Sequence, residues 1–129
     1  MIDTGPIVAI LSESDEHHDA CVEQLHDLRS PLWTCWPVVT EAAWLLRAYP
    51  QAIARLLSSF GGQPLQLISL DESDLPGIAA ILAKYQSLGI QLADAALDIW
   101  RTVKRLTPCS LWTGAISGRF AWLAAEGFA

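Results

Sequence analysis

Short apolar runs with strand character alternate along this chain with longer stretches of helical period, and prolines mark where several of the helices open. That alternation constrains the fold more than any other feature. Ile2 and its neighbours read as the end of a buried strand, left brief by Met1 directly before it. Pro6 suits the first turn of a helix, where its missing N–H would have no intrahelical partner. Ile7-Val8-Ala9-Ile10-Leu11 behind it is apolar enough to be buried. Ser14 or Asp15 caps a second helix, 16–29, whose acidic first turn suits the helix dipole. In it Ala20, Cys21, Gln24, Leu25 and Leu28 fall near helical spacing. Pro31-Leu32-Trp33-Thr34-Cys35 reads as a strand, Pro37 opens a helix over 37–47, and Pro50 opens another over 50–59, closed by Gly61-Gly62. Leu65–Leu70 has β-favouring alternation. Residues 72–86 read as a helix with Leu75, Ile78, Ala79, Leu82 and Tyr85 on one stripe. Gly89 ends it, and a last helix begins near Gln91 or Leu92.

The order strand, helices, strand, helices, strand, helices predicts an α/β domain with a parallel sheet. A chain of 129 residues, 52% apolar and 17% charged, is expected to be one globular domain over 1–129. No apolar run reaches the roughly 18 residues that span a bilayer, and the start carries no basic, signal-like region. Cys21, Cys35 and Cys109 are an odd number at irregular spacing. They read neither as a disulfide framework nor as a zinc site, so a reducing cytoplasm is the expected setting. The net charge of −6 argues against a broad basic surface holding nucleic acid, but not against a nuclease whose metal reaches the phosphate.

The chemistry lies in three carboxylates set in apolar surroundings: Asp3 in Met1-Ile2-Asp3-Thr4-Gly5-Pro6, Glu41 in Val38-Val39-Thr40-Glu41-Ala42-Ala43, and Asp94 in Leu92-Ala93-Asp94-Ala95-Ala96-Leu97. An unpaired buried carboxylate costs several kcal/mol. Three acids cannot neutralise one another, whereas one divalent cation can neutralise them together, and oxygen ligands suit Mg²⁺ or Mn²⁺. In parallel α/β sheets ligands sit beyond the carboxyl ends of the strands. Asp3 follows the first strand, Glu41 follows the second by a few residues and Asp94 lies near a later helix start, so all three are expected to reach one crevice.

On these stretches the chain resembles the PIN-domain ribonucleases, in particular the VapC toxins of bacterial toxin–antitoxin pairs. The matching segments are Ile2-Asp3-Thr4-Gly5-Pro6-Ile7-Val8-Ala9, Trp36-Pro37-Val38-Val39-Thr40-Glu41-Ala42 and Leu92-Ala93-Asp94-Ala95-Ala96-Leu97. The resemblance implies a three-layer fold with a central parallel sheet flanked by helices. It implies one or two Mg²⁺ or Mn²⁺ ions held by Asp3, Glu41 and Asp94, and hydrolysis of RNA phosphodiesters to 5′-phosphate and 3′-hydroxyl ends. Thr4 would hydrogen-bond the scissile phosphate or orient Asp3. It also implies a protein antitoxin that blocks the groove, and a homodimer.

The chain departs from that family after Leu97. Residues 1–97 hold 12 acids and 4 bases, while 98–129 hold 2 acids, 4 bases and three of the six tryptophans, Trp100, Trp112 and Trp122. The segment like T-L-D-R-R-D-F, in which the family carries a fourth acid after its last strand, is missing from the sequence. Joining the third base of each codon from Asp98 onward to the first two bases of the next permits H-L-A-D-R-E-T-I-D-T-V-F-T-L-D-R-R-D-F. The Trp112–Thr113 junction reads GAC, aspartate, whatever the codon choice. A frameshifted tail, and with it impaired activity, is therefore expected. Asp98, one turn after Asp94, offers a substitute ligand.

Plainer readings stand beside these. Asp3 alone suits a turn cap, Glu41 a surface helix, and Asp94 a helix N-terminus. His17 and His18 read as solvated, Trp33, Trp36 and Trp44 as core or interface aromatics, and Cys35 as no nucleophile. The Asp3-Thr4-Gly5 tripeptide occurs in aspartic proteases, but those need a mainly β fold and a second such loop. The competing class is a degenerate PIN module that only binds a protein partner.

Overall fold

The computed structural model describes residues 1–28, 31–61 and 64–103. Helices α1 (Thr4–Leu11) and α2 (His18–Asp27) precede strand β1 (Leu32–Thr34); α3 (Trp36–Leu45) and α4 (Pro50–Ser58) lead to β2 (Leu65–Leu67); α5 (Leu75–Lys84) and α6 (Leu92–Val103) follow. β1 and β2 pair in parallel with Leu32 opposite Leu65, Trp33 opposite Gln66 and Thr34 opposite Leu67. Parallel neighbours need a crossover, and α3 with α4 supplies it. The Thr34 carbonyl accepts from Ile68 N–H on the β2 side at 2.8 Å, and the Trp33 carbonyl, pointing the other way, accepts from Ile2 N–H at 2.8 Å. β1 thus lies between β2 and the N-terminal residues. The first strand expected at Ile2 is reduced to this single bridge.

Helices flank the parallel sheet, as the α/β reading expects. α1 packs on α2, α3 and α4, and α6 packs on α3 and α5. Ile2, Ile7, Cys21, Val38, Leu56 and Ala96 belong to one core. Trp33 of β1 stacks on Trp100 of α6 with ring centroids 6.1 Å apart.

Several expected boundaries move. The helix expected over 16–29 begins at His18, because Asp15 Oδ1 takes the His17 N–H at 2.9 Å and holds a turn before it. The strand expected over Leu65–Leu70 stops at Leu67. The stretch 72–86 splits into a 3₁₀ turn, α5 and a second 3₁₀ turn. Asp71 and Asp74 cause the first break by capping each other's backbone, with Ser73 N–H on Asp71 at 2.8 Å and Asp71 N–H on Asp74 at 2.9 Å. Of the expected α5 stripe, Ile78 and Tyr85 are buried and Leu82 packs on the core, while Leu75 is 56% exposed and Ala79 faces solvent. Gly77 sits where α5 meets α6, and a Cβ there would lie 2.5 Å from Ile99 Cδ1. Gly89 adopts a positive φ of 63°, which turns the chain into α6 at little cost for a residue without Cβ. Gly62 and the tail from residue 104 on, including most of the segment read as frameshifted, lie outside the described residues.

Candidate functional site

Asp3 is the N-cap residue of α1, yet its side chain makes no cap hydrogen bond. An N-cap carboxylate normally accepts from the second or third helical N–H. The third helical residue here is Pro6, which has none. The side chain is 5% exposed, and neither carboxylate oxygen has a hydrogen-bond partner. Burial accordingly pushes the Asp3 carboxyl up from 3.8 to about 7; the Thr4 backbone N–H beside it opposes this without closing a hydrogen bond, and the charges of Asp94 and Glu41 add to it.

Glu41 stands in the second turn of α3, which Pro37 opens. It is half-buried, and its Oε2 accepts from the Thr4 hydroxyl at 2.7 Å, across 37 residues of chain. Asp94 is the third helical residue of α6, and its Oδ2 accepts from the Gln91 backbone N–H at 2.7 Å. The three acids named from sequence are therefore neighbours in the electrostatic sense, since both others act on Asp3. Their side chains are not closed around a common point. Among the described residues, no three His, Cys, Asp or Glu side chains are gathered closely enough to hold a metal ion.

Asp98, read from sequence as a substitute ligand, is buried among other charges. It is 8% exposed; burial raises its pKa, and Arg101 and Lys84 lower it. The charges acting on Asp3 are those of Asp94 and Glu41. Other expectations divide. Cys35 is fully buried with its thiol pushed up to about 11, chiefly by burial, which suits no nucleophile. His18 is not simply solvated, because its Nδ1 lies 2.8 Å from the Ala9 carbonyl, and His17 pairs with Glu16 at 3.3 Å. Trp33 is half-buried, but Trp36 and Trp44 are 60% and 65% exposed and belong to the surface rather than the core. Sequence reading named Gln91 only as a start of the last helix and missed its backbone N–H as the donor to Asp94. It also passed over Thr34, whose buried hydroxyl has no partner and left no sequence signal.

A model of the PIN domain family matches residues 1–97. The chain belongs to the PIN domain family. The match ends at Leu97, the point where the charge balance of the sequence changes. Among solved structures this PIN domain is similar to the VapC20 toxin of Mycobacterium tuberculosis, described as sarcin–ricin loop cleaving. The TM-score is 0.73 at 13% identity, covering 81% of this chain and 82% of that one. At that identity the likeness concerns the fold. No curated protein sequence matches the chain significantly. Among the described residues, no helix of this PIN domain is long and apolar enough to cross a membrane.

Proposed function

We propose that this PIN domain is a divalent-metal-dependent endoribonuclease of the VapC kind, the cytoplasmic toxin of a toxin–antitoxin pair. The observation that carries the reading is Asp3, buried with both oxygens unpartnered beside two further acids. A buried pair of lone oxygens fits a hard cation in kind, and all three donors are carboxylates, the ligands Mg²⁺ and Mn²⁺ favour. Asp3 and Asp94 would hold the ion directly, and Glu41 would complete the set directly or through water. The bound ion would supply a nucleophilic water at neutral pH and charge stabilisation on the phosphate. This chain's residues keep the carboxylates in place. Pro6 withholds a competing helix donor from Asp3, and the Thr4 and Gln91 donors hold Glu41 and Asp94. The sarcin–ricin loop cleaving toxin that shares the fold supports an RNA substrate and, as a VapC toxin, a protein antitoxin; the homodimer rests on the resemblance to VapC toxins.

A second reading, a non-catalytic module that binds only a protein partner, is favoured by one observation: among the described residues, no three acids are gathered as an ion would gather them. Titration of the full chain with Mn²⁺ separates the two. Binding that disappears in Asp3→Asn and Asp94→Asn supports the nuclease, and absence of binding supports the module. The fourth acid that the family places after its last strand is missing from this sequence. Weak turnover compared with a chain carrying the restored segment is therefore part of the proposal.

A further inference from the structure

Thr4 was expected to hydrogen-bond the scissile phosphate or to orient Asp3, and its hydroxyl is engaged with a different acid. It is the first residue of α1, buried, and its Oγ1 donates to Glu41 Oε2 at 2.7 Å. A hydroxyl has one proton and two lone pairs. With the proton on Glu41, Thr4 offers only acceptor lone pairs, and a phosphate oxygen is an acceptor too. Asp94 is held by a backbone N–H, a donor that side-chain substitution does not remove. Glu41, on a longer and more flexible side chain, depends here on a side-chain donor from another helix. That donor is the residue directly after Asp3, so one hydrogen bond fixes Glu41 relative to Asp3 across the packed α1–α3 pair.

We infer that Thr4 is a positioning residue that holds the Glu41 carboxylate in the acid group, so that its hydroxyl sets divalent-cation affinity and makes no contact with RNA. The inference rests on the metal-site reading above. Its test is calorimetric titration of the full chain with Mn²⁺ in Thr4→Val, Thr4→Ser and Glu41→Ala, with metal-free thermal unfolding of each.

Thr4→Val is expected to bind Mn²⁺ about 10- to 100-fold more weakly, the usual effect of losing a group that orients a ligand. Thr4→Ser, which keeps the hydroxyl, stays within about threefold of the parent. Combined with Glu41→Ala, Thr4→Val adds nothing further, because it acts only through that carboxylate. Should Thr4→Val fail to fold, Thr4→Ala takes its place in the cycle. Unchanged affinity in Thr4→Val, equal losses in the Val and Ser variants, or additive losses with Glu41→Ala each overturn the inference. A parent chain that binds no Mn²⁺ overturns the metal reading itself, which is a different result from a parent that binds and a Thr4→Val that binds equally well.

Discussion

Asp94 takes the Gln91 backbone N–H on its Oδ2 at 2.7 Å while its charge raises the proton affinity of Asp3. One carboxylate therefore closes the start of α6 and contributes to the acid group. The two roles separate by substitution. Asp94→Asn keeps an oxygen that can accept from Gln91 and is expected to change stability by less than about 0.5 kcal/mol, while Asp94→Ala loses about 1 kcal/mol with the cap. Both should abolish Mn²⁺ binding. Urea unfolding beside metal titration reads the two effects independently.

The Asp3 carboxyl, raised from 3.8 to about 7, makes the metal-free protein pH-dependent. Below the unfolded value both states are protonated and nothing is lost. As pH rises from there towards 7 the unfolded chain releases its proton and the folded chain retains it, so stability falls across that window and then levels. Asp3→Asn should remove the slope and be the more stable protein at about pH 8, by on the order of a few kcal/mol. Cation binding runs the opposite way, because the ligand must be deprotonated. Mn²⁺ affinity is expected to rise about tenfold per pH unit below about 7 and flatten above it, with proton release visible as a buffer-dependent heat. A flat profile would show that Asp3 is not the group displaced.

Trp36 and Trp44 lie on the exposed side of α3, and Arg47 covers the Trp44 ring at 4.4 Å. If this side forms the proposed homodimer, Trp44→Ser should shift sedimentation from dimer to monomer. It should leave Mn²⁺ affinity and the helical circular dichroism signal in place. A dimer that persists in both Trp36→Ser and Trp44→Ser places self-association elsewhere.

Gly77 and Ile99 are coupled through space. Gly77→Ala gains about 1 kcal/mol of helix propensity but drives a methyl against Ile99 Cδ1, an overpacking cost of about 1–3 kcal/mol. Net destabilisation is expected, and it should shrink in an Ile99→Val background, which lacks that methyl. Denaturant midpoints of the four proteins in the cycle measure the coupling.

Nucleotide sequence across codon 97 tests the origin of the tail. The frameshift proposal expects the T-L-D-R-R-D-F segment in the alternative frame, and a chain expressed in that frame should cleave RNA faster than the present one. An alternative frame without that segment ends the proposal.

Much of the architecture was legible because its signals are local. Pro37 and Pro50 sit in the first turns of α3 and α4, and the β-rich runs around Trp33 and Leu65 became the paired strands. Ile2 fell short of a strand because its pairing depends on a distant partner, Trp33. The α5 stripe kept Ile78, Leu82 and Tyr85 on the core side and lost Leu75 and Ala79, because Asp71 and Asp74 cap a separate turn that leaves Leu75 at the exposed start of the helix. The acids were recognisable as polar residues in apolar company. Their partners were not: the Thr4–Glu41 bond spans 37 residues, and no spacing rule announces it. Asp98 shares helical spacing with Asp94 but is coupled to Lys84 and Arg101, a contrast set by packing of α5 against α6.

The offset stack of Trp33 on Trp100 joins the sheet to the last described helix, with an angle of 26° between the ring planes. Two indoles that close share their excited states, so the pair is an intrinsic optical gauge of whether α6 is docked. Near-ultraviolet dichroism would follow that docking through folding or on addition of a cation, without any label attached.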